Sequence, residues 1–205
     1  MLAGMLPVVR VLAVVAAGYA IGGVPVANSV ARRHGVDDLR EIGDRNPGYW
    51  NAREQIGVRA SAPIFAGDVA KGAAAVALAR AAGGPWWVAY LGGGAAMVGH
   101  AFPALDGWRG GRSVLTFVGA AAVYAPRPAA FAVGTLGATW MATRRFDVAA
   151  RAGIAIFPVF QLAIEGPRRT AATGVLMTFV GLRFAQARSC RTSGPSAAPR
   201  AMHGQ

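Results

Sequence analysis

Residues 61–82 read SAPIFAGDVAKGAAAVALARAA. A helix of about 20 apolar residues crosses a hydrocarbon core of about 30 Å, and this stretch is long enough to do so. Its only charges are Asp68, Lys71 and Arg80. Charges at bilayer depth are expensive, and those that persist there tend to serve a site. Asp68 and Lys71 stand three residues apart on one helical face, where each neutralises the other. This stretch therefore predicts a membrane helix that keeps a polar pair inside it, as site support or as a direct substrate contact.

The same pattern recurs on both sides. Apolar runs cover about 6–30, 86–105, 113–125, 129–143, 152–164 and 170–184. Several fall short of a full span, so the count expected is five to seven. The fold class is all-α, a polytopic transmembrane helical bundle with its N-terminus outside. Residues 1–188 are read as one membrane-embedded domain. Residues 189–205, polar and rich in Pro, Ser and Gly, are read as a disordered tail. The first apolar run resembles a signal peptide in its charge and core, but its length and the spans after it predict a retained helix. Within it, Gly18 and Gly22 form a small-xxx-small spacing that lets another helix approach closely.

Composition narrows the function classes. Of the 205 residues 54% are hydrophobic and 15% charged, against about 25% charged in soluble domains. The formal charge of +12 is carried by arginine, with Lys71 the one lysine, in a composition that reads as a GC-biased coding sequence. The arginines sit in short connectors between apolar runs, which fits the positive-inside rule and anionic lipid headgroups. No basic face with interleaved aromatics appears, so nucleic acid is not an expected partner. The single cysteine, Cys190, excludes a disulfide or a cysteine metal site within the chain. No metal constellation and no nucleotide fold is visible, and no cofactor is expected. With the N-terminus outside, residues 31–60, 106–112, 144–151 and the tail face the cytoplasm. The outer side keeps Arg10, Arg80, Arg127, Arg168 and Arg169, and the Arg168-Arg169 pair runs against this orientation.

Three further polar clusters lie beside the apolar runs. In Gly43-Asp44-Arg45-Asn46-Pro47-Gly48-Tyr49-Trp50-Asn51, the Asn46-Pro47-Gly48 step is a turn. Asn46 and Asn51 are able to hold a hydroxyl or carbonyl oxygen without adding charge. Asp44 is either a general base or the ion-pair partner of Arg40 and Arg45. Tyr49 and Trp50 read as interfacial aromatics in a connector. In Gly99-His100-Ala101-Phe102-Pro103, His100 is a candidate general base. In Gly110-Gly111-Arg112, two glycines let backbone N–H groups approach a phosphate while a guanidinium clamps it; the plainer alternative is a flanking arginine after a glycine turn.

These clusters, with Gly22-Gly23-Val24-Pro25 and Asp68-Val69-Ala70-Lys71-Gly72, resemble the PlsY family of bacterial integral-membrane glycerol-3-phosphate acyltransferases. The family patterns are G-S-x-P, G-S-G-N-x-G-A-T-N, D-x-x-K-G and G-H-x-x-P…G-G-K-G, in the same order from about Gly22 to Ser113. Gly23 and Asp44 stand for two family serines, Arg45 and Ser113 for glycines, Tyr49 and Trp50 for Ala and Thr, and Arg112 for a lysine. The late family pattern R-H-x-x-N is met only by Arg183.

The resemblance implies acyl transfer from acyl-phosphate to the sn-1 hydroxyl of glycerol-3-phosphate, giving lysophosphatidic acid for phospholipid biosynthesis at the bacterial inner membrane. Asp44, Asn46 and His100 are then the candidate catalytic residues. Asn51, Arg53, Gly110, Gly111 and Arg112 are candidate substrate ligands, with Asp68, Lys71 and Gly48 in support. Acyl-phosphate, glycerol-3-phosphate and membrane lipids are the implied partners. A catalytically silent relative that binds lipid or a partner enzyme, and a small transporter, are the alternatives.

Overall fold

The computed structural model describes the backbone of residues 2–192 and the side chains of residues 7–187. Nine α-helices and one short 3-10 turn make up the described chain, with no strand. They are α1 (Leu2–Gly22), α2 (Val26–Arg32), α3 (Tyr49–Ile56), α4 (Val58–Ala81), α5 (Trp87–Ala101), α6 (Val114–Tyr124), α7 (Pro126–Thr143), α8 (Phe146–Glu165) and α9 (Pro167–Thr192). The 3-10 turn is Ala104–Asp106.

Four segments are long and apolar enough to cross a membrane: Pro7–Arg32, Val58–Ala81, Trp87–Asp106 and Phe146–Glu165. The first of these joins α1 and α2 across the break at Gly22-Gly23-Val24-Pro25, where a proline cannot supply the next helical hydrogen bond. The apolar α6, of 11 residues, reaches only about 16 Å at 1.5 Å per residue. α7 and α9 have the length, 18 and 26 residues, with a less apolar composition. The tail read as disordered from Ser189 begins inside α9, which continues to Thr192, and the remainder lies outside the described residues.

Glycine sets how closely the central helices meet. A side chain at Gly72 on α4 would collide with the Thr116 carbonyl of α6, and one at Gly119 on α6 with the Val69 carbonyl of α4. The Gly18/Gly22 spacing meets α5 in the same way, against the carbonyls of Gly92 and Ala96. In lipid no hydrophobic force draws helices together, so contact of this kind carries the association. Large apolar side chains turn outward instead: Val8, Leu12, Val133, Ile154, Val159 and Val175 are each more than half exposed. Such a surface is a liability in water and matches hydrocarbon.

The polar stretch after α2 is not a loose connector. Leu39 is fully buried among Ala27, Ala31, Ala52 and Ile64, with Val36, Ile42 and Ile56 packed around them. Tyr49 and Trp50 form the first turn of α3 rather than part of a loop. Asp38 does not cap a helix: its Oδ1 accepts the Arg40 backbone N–H at 2.8 Å, a local turn bond. This small core folds residues 33–57 back over one end of the bundle.

Candidate active site

The C-terminal end of α5 is where the separate clusters converge. A helix leaves its last carbonyls without intrahelical partners. Here the Gly110 N–H donates to the Ala101 carbonyl at 3.0 Å and the Gly111 N–H to the His100 carbonyl at 3.1 Å. The approach is too close for any Cβ, since one at Gly110 would strike the His100 carbonyl and one at Gly111 the imidazole. From α9, Arg183 closes the same joint. Its Nη2 donates to the Gly110 carbonyl at 3.2 Å and to that of Ala101 at 3.4 Å, and its Nε to that of Gly111 at 3.4 Å.

Arg112 follows directly. Its Nη2 lies 3.0 Å from Asp44 Oδ2, its guanidinium stacks 4.8 Å from the Phe184 ring centroid, and its Nε is buried without a partner. Asp44 also accepts the Asn46 N–H at 3.1 Å. The turn 43–48 and the loop 110–113 are thus joined by an ion pair between residues far apart in sequence.

Two backbone positions in this joint are unusual. Arg45 has φ of 59° and Ser113 φ of 61°, the left-handed region that glycine adopts without cost. These are two of the places where the family pattern has glycine. Ser113 regains part of the cost through its hydroxyl, which donates to the Met97 carbonyl at 2.7 Å. Arg45 is exposed and makes no such bond.

Deeper in the bundle lies a buried charged unit. Lys71 Nζ donates to Asp68 Oδ1 at 3.1 Å, and His100 Nδ1 stands 3.5 Å from the same oxygen. It borders a cavity of about 20 Å³, space for about one water, also lined by Gly23, Pro25, Pro47 and Gly111. The break after α1 opens this space.

A second set of residues braces the loop 103–109. Asp106 receives Arg40 Nη2 at 3.2 Å and Asn28 Nδ2 at 3.2 Å, while Arg40 Nη1 donates to the Asp106 carbonyl at 2.6 Å. Arg40 Nε also binds Asp38 at 2.8 Å. Burial pushes the Asp38 carboxyl up, but its bonds from the Arg40 guanidinium and amide outweigh that and hold it below its ordinary value. The same side-chain bond raises Arg40 above its own.

The sequence expectations sort against this geometry residue by residue. Asp44 pairs with Arg112 and not with Arg40 or Arg45, because the turn brings its carboxylate to the loop at 112. Gly110 and Gly111 are in the site, yet their N–H groups do not form a phosphate cradle: both are taken by carbonyls at the end of α5. Asn51 is buried, and its amide donates to the carbonyls of Leu39 at 2.8 Å and Ile42 at 3.0 Å, holding the turn. Its Oδ1 is buried, unpartnered, and lies against Gly43. Arg53 is exposed and places its guanidinium 5.3 Å from the Trp50 ring centroid. Gly48 precedes the first residue of α3 as its cap, and its N–H donates to the Asn46 carbonyl at 2.8 Å, as the turn requires. The Asp68–Lys71 pair forms as expected.

Asn28, Arg40 and Asp106 were missed. Asn28 carried one signal, an amide at the end of an otherwise apolar run; Asp106 read as an ordinary connector charge, and Arg40 only as a partner for Asp44.

A family model described as glycerol-3-phosphate acyltransferase matches residues 12–189. The chain belongs to this family. The glycerol-3-phosphate acyltransferase of Rubrobacter xylanophilus is 43% identical over 110 residues, 53% of this chain and 54% of that protein. That of Caulobacter vibrioides is 36% identical over 157 residues, covering 73% and 69%. The chain spans about half the length of the first curated relatives it matches. Among solved structures, the integral membrane protein PlsY (YgiH) in its glycerol 3-phosphate form superposes with a TM-score of 0.75 at 24% identity, over 90% of this chain and 92% of that one. Its lysophosphatidic acid form gives a TM-score of 0.73 at 22% identity. The bundle described above is therefore the fold of an integral membrane protein.

Proposed function

We propose that this chain transfers a fatty acyl group from acyl-phosphate to the sn-1 hydroxyl of glycerol-3-phosphate at the cytoplasmic face of a bacterial inner membrane. Family membership across residues 12–189 carries the reading, and the placement of Arg112 and Arg183 at one joint supports it. The acceptor's hydroxyl oxygen forms a bond to the acyl carbon, the bond from that carbon to the phosphate oxygen breaks, and the hydroxyl proton leaves with inorganic phosphate. Such a reaction needs two anions held in register and stabilisation of charge developing on the carbonyl oxygen. Arg112 supplies a cation that carries stacking and one ion pair, with its Nε still free. Arg183 and the glycine amides keep that cation's loop fixed to α5. His100 and the Asp68–Lys71 pair lie beneath the joint and set its polarity. Asn46 holds the turn that carries Asp44. The test is incubation of the purified protein with acyl-phosphate and radiolabelled glycerol-3-phosphate. Labelled lysophosphatidic acid is the expected product, and its absence from well-folded protein removes the proposal.

One observation favours a second reading, a family member that binds lipid without turning over. Asp44 already occupies the guanidinium that a substrate phosphate needs. An inactive wild type that gains turnover on Asp44→Ser would establish it.

A further inference from the structure

The arginines at the other end of the bundle are not used by the acyl-transfer site, and the Arg168-Arg169 pair opposes the orientation that the remaining arginines favour. Arg80 ends α4 and Arg169 begins α9. Both line a cleft of about 240 Å³ together with Trp86, Tyr90 and Tyr124; a water occupies about 30 Å³ in the liquid. Measured along α4, Arg80 is about 18 Å from Asp68 at 1.5 Å per residue, so this cleft is separate from the cluster around His100.

The protein balances its charge only in part. Arg80 Nη1 donates to the Val123 carbonyl at 2.7 Å, at the end of α6, and among the described residues no carboxylate pairs with it. Arg169 forms a long ion pair with Glu165 at 4.0 Å, and Glu165 is also engaged by Gln161 at 3.0 Å. Arg10 adds a third guanidinium beside Gly83. Arg168 and Arg169 lie in the first turn of α9, where the helix dipole already carries partial positive charge and further cations are unfavourable. A bound anion relieves this arrangement.

The neutral lining carries three aromatic rings. Gln161 Nε2 donates both to Glu165, which only accepts, and to the Tyr90 hydroxyl oxygen at 2.9 Å. The Tyr90 hydroxyl also lies within hydrogen-bond reach of Thr173. Tyr90 stacks on Tyr124 with centroids 4.2 Å apart, and Trp86 packs edge-on against Tyr90 at 5.4 Å. Arg169 lies 5.8 Å from the Trp86 ring centroid. Aromatic side chains of this kind sit at headgroup depth in membranes.

We propose that the cleft between Arg80 and Arg169 is a second anion site, one that takes a phosphate group at the membrane face opposite the acyl-transfer site. The two sources of that chemistry are a phospholipid headgroup and free inorganic phosphate.

The experiment uses the full chain, purified and stripped of lipid, with intrinsic tryptophan fluorescence as the readout. It is titrated with short-chain phosphatidylglycerol, with short-chain phosphatidylcholine and with inorganic phosphate. Phosphatidylglycerol or inorganic phosphate should bind saturably, and phosphatidylglycerol at least tenfold more tightly than phosphatidylcholine if the headgroup is the source. Arg80→Gln and Arg169→Gln should each weaken binding by roughly tenfold, the effect of losing one charge-assisted bond. Arg127→Gln, an exposed change outside the cleft, should leave it unaltered. Displacement of the lipid by inorganic phosphate assigns the site to the free anion, and lack of displacement to the headgroup. The lipid comparison on the wild type needs no variant to fold. Equal binding of both lipids with no saturable phosphate response would overturn the proposal, as would unchanged binding in both Arg80→Gln and Arg169→Gln.

Discussion

Replacing Asp44 by serine tests how the acceptor reaches Arg112. In the structure the Asp44 carboxylate holds Arg112 at 3.0 Å; if Arg112 takes the acceptor's phosphate as proposed, that phosphate must displace the carboxylate and then remain beside it. An anion bound to the guanidinium would lie about 5 Å from that carboxylate, where one pair of unit charges interacts by about 0.8 kcal/mol in bulk water and about 3 kcal/mol at an effective dielectric of about 20. The two side chains are 28% and 16% exposed, which places the site between those limits. Relief of about 1–3 kcal/mol corresponds to a fall in apparent KM for glycerol-3-phosphate of about five- to 150-fold. The assay is initial-rate kinetics with acyl-phosphate saturating, on wild type, Asp44→Ser and Asp44→Asn. Both variants remove the charge, so both should lower KM by similar factors. An unchanged or raised KM in both would refute the reasoning. A loss of two or more orders in kcat for Asp44→Asn, with protein level and stability held, would instead make Asp44 a general base.

Four further outcomes are expected. Arg45→Gly should stabilise the protein by about 0.5–1 kcal/mol in detergent unfolding, because the left-handed conformation costs a non-glycine residue about 1–2 kcal/mol and glycine returns part of that as chain entropy. Gly72→Ala should destabilise by about 1–3 kcal/mol through overpacking against Thr116, whereas Gly134→Ala, with open space around it, should be neutral or stabilising by the same measurement. Asp38 has a depressed pKa, so its contribution to stability is complete above the unfolded value near 3.8 and disappears as pH falls through the lower folded value. Wild type should therefore exceed Asp38→Asn by a constant margin from pH 5 to 8, and the two should converge toward pH 3. In a Cys190→Ser background, cysteines placed at Arg33 and Leu105 should resist an impermeant thiol reagent in intact cells and react after lysis, with the opposite behaviour at Arg127; labelling of the first two in intact cells would invert the topology.

Much of the fold was legible in the sequence because membrane helices are specified locally. Length and apolarity mark residues 61–82, whereas residues 6–30 read as one continuous run although the chain breaks between α1 and α2 at Pro25. The Asp68–Lys71 pair was legible for the same reason, since a three-residue spacing on a helix is a fixed geometry. The partners across the site were not. Asp44 meets Arg112, and Asn28 meets Asp106, only because helices on opposite sides of the chain pack through glycine, and no local pattern reports which loops that packing brings together. The use of the Gly110 and Gly111 amides was hidden by a similar ambiguity. A Gly-Gly-Arg run is equally suited to embracing an anion and to closing a helix end, and only the position of the Ala101 and His100 carbonyls decides between them.

The joint at the end of α5 is drawn mostly in main-chain atoms. Its connections run from peptide N–H to peptide carbonyl, and the guanidinium of Arg183 addresses carbonyls that every residue possesses. Even the two left-handed positions keep their torsions with arginine and serine in place of glycine. A frame of this kind is indifferent to the identity of most side chains it carries. Side chains carried on it, Asp44 and Arg112 among them, are exchangeable without loss of the scaffold. If the acceptor binds beside Arg112 as proposed, reshaping its surroundings by design should begin at Asp44, Tyr49 and Trp50 and leave the glycines alone.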